Sequence, residues 1–171
     1  MGIAKPLKSS TDVLDLLTSQ HAEVDALFAK LESGKGDRPA LFAELADKLA
    51  AHATIEERIF YPAVMAEATR DMLTESVEEH LEIKRVLADL ITMRLDREEV
   101  DAKLAVLQEN VSHHAHEEED KLFPLLRKLM SAEQLAALGN ECLALFEELL
   151  PTHPSRQVPA ETDRAAPLPP R

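Results

Sequence analysis

The sequence predicts an all-α fold: an antiparallel up-down-up-down four-helix bundle with a short fifth helix and a disordered Pro-rich C-terminal tail. Three observations carry this. Four long segments repeat apolar residues at alternating spacings of three and four, the mark of helices with one buried stripe. The breaks between them are short, so successive helices run antiparallel. Only four of 171 residues are Gly, while Ala, Leu, Glu and Lys dominate, a usage that favours helix.

In the first helix Leu14, Leu17, Val24, Phe28 and Leu31 form the stripe, with Ser9 and Asp12 as a cap pair. The run Ser33-Gly34-Lys35-Gly36-Asp37 ends it. The second helix starts near Arg38 or Pro39, since Pro is favourable in a first turn, and its stripe is Phe42, Leu45, Leu49 and Ile59. After a turn around Thr69 to Thr74, the third carries Leu73, Val77, Leu87 and Ile91. Asp96 with Glu99 reads as the cap of the fourth, whose stripe is Val100, Leu104, Leu107, Val111, Leu122 and Leu125. Ser131 with Gln134 is a capping box opening the fifth helix, which runs to about Leu150. The expected organisation is therefore an N-terminal arm at 1–9, one domain at 10–150 and a tail at 151–171. That tail holds six of the ten prolines and should be disordered or extended.

The formal net charge is −13, with a pI near 4.9. No basic stripe is available to neutralise phosphates or anionic lipid, so neither nucleic acid nor a membrane surface is an expected partner. Cys142 is the lone cysteine, which rules out an internal disulfide and suits a reducing compartment. With no apolar secretory segment near the start and no run of 18 apolar residues, a cytoplasmic location is expected. The chain is long enough to bury a core without metal staples, so a metal here would serve chemistry rather than the fold.

Each apolar stripe is interrupted by polar residues where Leu is expected. His21 falls on the stripe of the first helix, His52 and Glu56 on the second, His80 on the third, and His114 and Glu118 on the fourth. Burying four imidazoles and two carboxylates unpartnered would be costly, so a compensating ion is implied. His-x-x-x-Glu puts both groups on one helical face, and imidazole with carboxylate suits Fe, Mn or Zn rather than Ca or Mg. Two glutamates from facing helices can each bridge a metal pair. Two six-coordinate ions offer about twelve positions. The bridging carboxylates take roughly four, the histidines four, and a bridging oxide or hydroxide two, which leaves about one open position per metal.

An internal repeat supports a paired site. Residues 52–62, HATIEERIFYP, and 114–124, HAHEEEDKLFP, share His-x3-Glu-Glu-x3-(Tyr/Phe)-Pro in register. Upstream, QHAEVDALF around His21 matches EHLEIKRVL around His80. The chain thus reads as two hairpins of one design, and Pro62 and Pro124 should kink both helices at the same depth.

The run His, His-x-x-x-Glu, His, His-x-x-x-Glu over residues 10 to 150 resembles the hemerythrin-like, or HHE cation-binding, family. The resemblance implies two Fe ions bridged by carboxylates and an oxo or hydroxo group, held by His21, His52, Glu56, His80, His114 and Glu118; Mn and Zn fit the same donors. It further implies binding or reaction with O2, hydrogen peroxide or nitric oxide, in oxidative-stress defence, redox sensing or peroxide disproportionation, or else metal sensing without turnover. Oxygen carriers of the family have a fifth histidine one turn after the ligand of the third helix. Lys84 stands there in this chain, which favours peroxide chemistry or redox sensing over O2 transport.

Other polar residues carry quieter expectations. His113, His116 and His153 should be solvated, and of Glu117, Glu118, Glu119 and Asp120 only Glu118 should face inward. Asp25 should face solvent, Lys84 should snorkel, Tyr61 should pack near the bundle end, and Cys142 should be a small core residue. A docking role for the tail has no motif behind it.

Overall fold

A computed structural model describes residues 11–170; the arm at 1–9, and with it Ser9, lies outside them. Helix α1 is Val13–Glu32, and Asp12 caps it by accepting from Asp15 N at 2.9 Å. Gly34 and Gly36 then take positive φ (68° and 88°), a turn that side chains with a Cβ resist. Asp37 caps α2, with Pro39 in its first turn. This helix runs Arg38–Ile55, widens into a π turn at Glu56–Phe60, and ends with Tyr61–Val64. Helix α3 is Arg70–Thr92. Helix α4 repeats the plan of α2: Glu99–Glu117, a π turn at Glu118–Leu122, then Phe123–Leu129. Helix α5 is Ala132–Leu149, opened by the expected Ser131/Gln134 capping box.

The sequence reading needs four adjustments here. The turn before α3 lies at 65–69, held by Thr69 Oγ1 donating to Val64 O and accepting from Ala66 N. Asp96 does not cap α4; it pairs with the Arg94 guanidinium instead. The strain at Pro62 and Pro124 takes the form of π turns, in which Tyr61 N reaches Glu56 O and Phe123 N reaches Glu118 O, five residues back. Each π turn inserts one residue, so the buried stripe slips by one beyond it. Ile59 and Leu125 are half-buried, whereas Phe60, Tyr61, Leu122, Phe123 and Leu126 are buried.

The largest adjustment concerns the tail. Residues 150–161 wind into 3₁₀ turns, Leu150–Thr152 and Pro154–Glu161, joined by His153 at φ 55°. Val158 is 2% exposed and packs among Val24, Leu49 and Leu87. The bundle supplies the polar partners: Asp47 accepts from Ser155 N and Oγ, and Arg85 and Arg70 donate to the carbonyls of Thr162 and Pro169. One apolar anchor and side chains from the bundle order a Pro-rich segment that needs no ladder of its own, because Pro loses little chain entropy. Beyond Glu161 the described residues, 162–170, have no helix or strand, as an extended tail would.

Two apolar clusters sandwich a polar layer. One gathers Phe28, Leu45, Leu49, Leu87 and Leu107; the other gathers Leu14, Leu17, Ile55, Phe60 and Leu126, with Cys142 and Phe146 from α5. Each fully buried Leu or Phe contributes about 1.5–3 kcal/mol, which holds the polar layer at fixed depth. Among the described residues no helix is long and apolar enough to cross a membrane.

Candidate metal centre

The polar layer consists of the residues picked from the stripes. His21 comes from α1, His52 and Glu56 from the end of the regular part of α2, His80 from α3, and His114 and Glu118 from the matching point of α4. All six are buried. Ligand atoms of His21, His52, Glu56 and Glu118 lie within 4.8 Å of one another, and so do those of Glu56, His80 and His114. Glu56 belongs to both groups: Oε1 is 3.1 Å from His52 Nε2 and Oε2 is 3.0 Å from His80 Nε2. Oε1 of Glu118 lies 3.3 Å from the Nε2 atoms of both His21 and His114. Each carboxylate therefore spans two groups of nitrogen donors.

The layer is short of partners in a specific way. His21 Nε2, His52 Nε2, Glu56 Oε1 and Glu118 Oε1 are buried without a hydrogen bond. The His–Glu pairs these atoms make are close but not hydrogen-bonded, and four buried donors within 4.8 Å of one another fit a cation that would ligate all of them. Charge tells the same story. Burial opposes ionisation of Glu56, yet His52, His114 and His80 hold its pKa well below 4.5. Burial likewise disfavours imidazolium at His21, but Glu118 and Glu56 lift its pKa to about 9, and His114 is raised well above 6.5 against the same penalty. Protons and carboxylates balance one another where an ion would otherwise do so.

Each histidine is also held from behind. His21 Nδ1 faces Glu119 Oε1 at 2.6 Å, His80 Nδ1 faces Glu57 Oε1 at 2.9 Å, and His114 Nδ1 faces Glu79 Oε2 at 2.6 Å. His52 Nδ1 donates to Gln20 Oε1 at 2.7 Å. These contacts fix each ring and leave Nε2 free to bind. None of the four partners was singled out from sequence, and Glu119 was expected in solvent. The signal was nonetheless there. Gln20 and Glu79 each precede a stripe histidine, and Glu57 and Glu119 each follow a stripe glutamate, so all four lie within the repeat.

The matching of known sequences and folds agrees with this geometry. Residues 12–126 match the family described as hemerythrin HHE cation binding domain. The chain belongs to that family. A protein from Nostoc sp. (strain PCC 7120 / SAG 25.82 / UTEX 2576) named DNA nickase is 27% identical over 136 residues, covering 78% of this chain and 39% of that protein. This chain thus spans well under half the length of that relative. A crystal structure of a hemerythrin HHE cation binding domain-containing protein from Mycobacterium kansasii superposes with a TM-score of 0.73 at 23% identity. It covers 83% of this chain and 89% of its own, a likeness of fold.

Two residues of this hemerythrin-like domain lie elsewhere than their sequence suggested. Tyr61, expected near the bundle end, is fully buried inside the polar layer. Its hydroxyl is 3.2 Å from Glu56 Oε2 and 3.3 Å from each of Glu118 Oε2, His80 Nε2 and His114 Nε2. Burial, then Glu118 and Glu56, push its pKa well above 10.0. Phe123, its mate in the repeat, lies parallel to His21 with ring centroids 6.3 Å apart. Lys84 does not snorkel into solvent: it is buried, with Nζ 2.9 Å from Glu57 and 3.1 Å from Glu161. Asp25, His113, His116 and His153 are exposed and Cys142 is buried, as expected.

Proposed function

We propose that this domain is a non-haem diiron protein that binds or reacts with small oxidants: O2, hydrogen peroxide or nitric oxide. The observation that carries the reading is the set of four buried donor atoms on His21, His52, Glu56 and Glu118 that lie within 4.8 Å of one another without a hydrogen bond. Beside them lies a mainly apolar cavity of about 40 Å³ that reaches all four histidines, with space for about three water-sized molecules. His21, His52, Glu56 and Glu118 would hold one ion, and His80 and His114 with Glu56 the other. When bound, the ions supply reversible electron exchange and Lewis acidity toward an oxygen or nitrogen ligand.

The chain's own residues do the rest. Nδ1 partners keep the rings in one tautomer. Walls from Val24, Leu49, Leu87 and Val111 keep bulk water away. Tyr61 holds a proton on its hydroxyl within reach of both carboxylates and is the group placed to lend it to a reduced ligand. The 32 Asp and Glu against 19 Lys and Arg weigh against a nucleic-acid partner, and the activity in the name of the Nostoc relative is not carried over.

The first experiment is metal content per chain on aerobically purified protein, with its near-ultraviolet and visible absorbance. About two irons with oxo-bridge absorption supports the reading. No metal, or a single zinc, overturns it. Oxygen evolution from added peroxide then identifies an enzyme, and a stable coloured adduct a binder. A second reading, metal sensing or handling without turnover, is favoured by a small cleft at Glu118 lined by Glu75, Glu79 and Glu117, a surface that attracts cations. It predicts a large fall in melting temperature on chelation and no peroxide chemistry.

A further inference from the structure

The apolar cavity has one wall that the four-helix bundle does not supply. Pro154, Val158 and Glu161, all from the 3₁₀ segment after α5, line it together with residues of α1 to α4. Val158 is buried against Leu49 and Leu87 and belongs to the bundle's own apolar cluster. The segment is fastened at two points. Ser155 and His153 bond Asp47 on α2, and the Glu161 carboxylate meets the buried Lys84 ammonium on α3 at 3.1 Å. On the bundle's side both fastenings are side chains, Asp47 and Lys84, and 3₁₀ turns hold together less firmly than an α-helix. A piece of chain so attached is drawn from the low-stability end of the structure.

We infer that residues 150–161 form a strap closing the apolar cavity over the histidines, and that Val158 sets which molecules pass. The class admitted is uncharged molecules of two or three heavy atoms. Val24, Leu49, Ile83, Leu87, Val111 and Val158 make most of the wall apolar, which disfavours a hydrated ion, and the volume of about 40 Å³ leaves space for only about three water-sized molecules. Larger molecules reach the centre only when the strap lifts, which requires breaking the Lys84–Glu161 pair. The second cleft, beside Glu118, is about 10 Å³ and acid-lined, too small for such molecules; a larger cleft of about 490 Å³ meets the cavity's rim at Thr54, Lys84 and Glu161, on the outer side of the strap's fastening.

The inference rests on the small-oxidant reading, so its test has one arm that needs redox chemistry and one that does not. Three full-length variants serve both: Val158→Ala, which opens the wall; Val158→Phe, which fills the cavity; and Glu161→Gln, which weakens the fastening while leaving Val158 in place. In the first arm, reaction rates with hydrogen peroxide and with tert-butyl hydroperoxide are compared at equal metal content. Wild type should strongly prefer the small peroxide. Val158→Ala and Glu161→Gln should lower that preference by roughly tenfold, the scale on which an apolar pocket discriminates by size. An unchanged preference in both variants overturns the strap. In the second arm, crystals are pressurised with xenon. Wild type should show xenon between Val24, Leu49 and Val158, and Val158→Phe should abolish it. No xenon there in wild type, or undiminished xenon in Val158→Phe, also overturns it. If neither peroxide reacts with wild type, the redox reading fails and the xenon arm alone decides the strap.

Discussion

His52 donates from Nδ1 to the amide oxygen of Gln20 at 2.7 Å. In the second hairpin the corresponding nitrogen, on His114, faces the carboxylate of Glu79 at 2.6 Å. Three imidazoles are thus backed by a carboxylate and one, His52, by a neutral amide. The two halves of the centre are not equivalent. Gln20→Ala should weaken metal binding by about 10–100-fold without loss of helix content, read by competition with a chromophoric chelator. Gln20→Glu should retain metal and, on the proposed diiron reading, lower the reduction potential of the centre.

Tyr61 is the second break in the two-fold pattern, since Phe123 stands in its place in the other hairpin. On the proposed small-oxidant reading, Tyr61→Phe should leave metal content unchanged and slow reaction with peroxide by about 10²-fold, the low end for loss of a positioned proton donor. Unaltered kinetics in stopped-flow would remove the hydroxyl from the chemistry.

Stability should depend on pH in the metal-free protein, and the gain on adding metal should depend on pH with the opposite sign. His21 is lifted from 6.5 to about 9 by Glu118 and Glu56 despite burial. A folded-state pKa above the unfolded one stabilises fully below about 6.5 and is lost as pH rises through 9. The chelator-stripped protein should therefore melt lower at pH 9 than at pH 6. Metal must displace those protons, so the increase in melting temperature on adding metal should be larger at pH 9. Calorimetry at the two pH values checks both signs.

Gly139 fixes α5 against the start of α1. A Cβ built there meets Thr11 O at 2.1 Å, and Asp12 C and Val13 N at 2.9 Å. These are backbone atoms that cannot step aside. Gly139→Ala should lower unfolding free energy by about 1–3 kcal/mol, measured by denaturant titration, even though Ala is the better helix former.

The Cys142 thiol is pushed up from 9.0 to about 12, first by burial and then by Glu56 and Glu141. It should resist a thiol reagent at pH 8 in native protein and react within seconds once unfolded. Because the unfolded thiol ionises near 9 and the folded one near 12, its contribution to stability falls as pH rises between those values.

The six candidate ligands were legible because they break an apolar spacing that leaves no other reason for polarity. Tyr61 was not, and the cause is geometric. Five residues along a regular α-helix lie about 140° round from the start, which would turn Tyr61 away from Glu56. The π turn brings the fifth residue back over the first, and with it the hydroxyl. The same slip explains why Ile59 and Leu125 lost their stripe positions to neighbours. Spacing rules assume a uniform helix and do not see an inserted residue. Composition likewise misjudged the tail, because one Val and the polar side chains of another element decide its order. The helix breaks and the capping box were readable, being set by a few local residues.

Glu161 touches Lys84, Lys84 touches Glu57, and Glu57 holds His80 Nδ1. A purification tag, a proteolytic nick or an immobilising surface near residues 150–161 is therefore three side chains away from a histidine of the centre. Preparations altered there would carry spectra and reactivities that belong to the handling, so samples meant to report on the metals should be kept intact at that end.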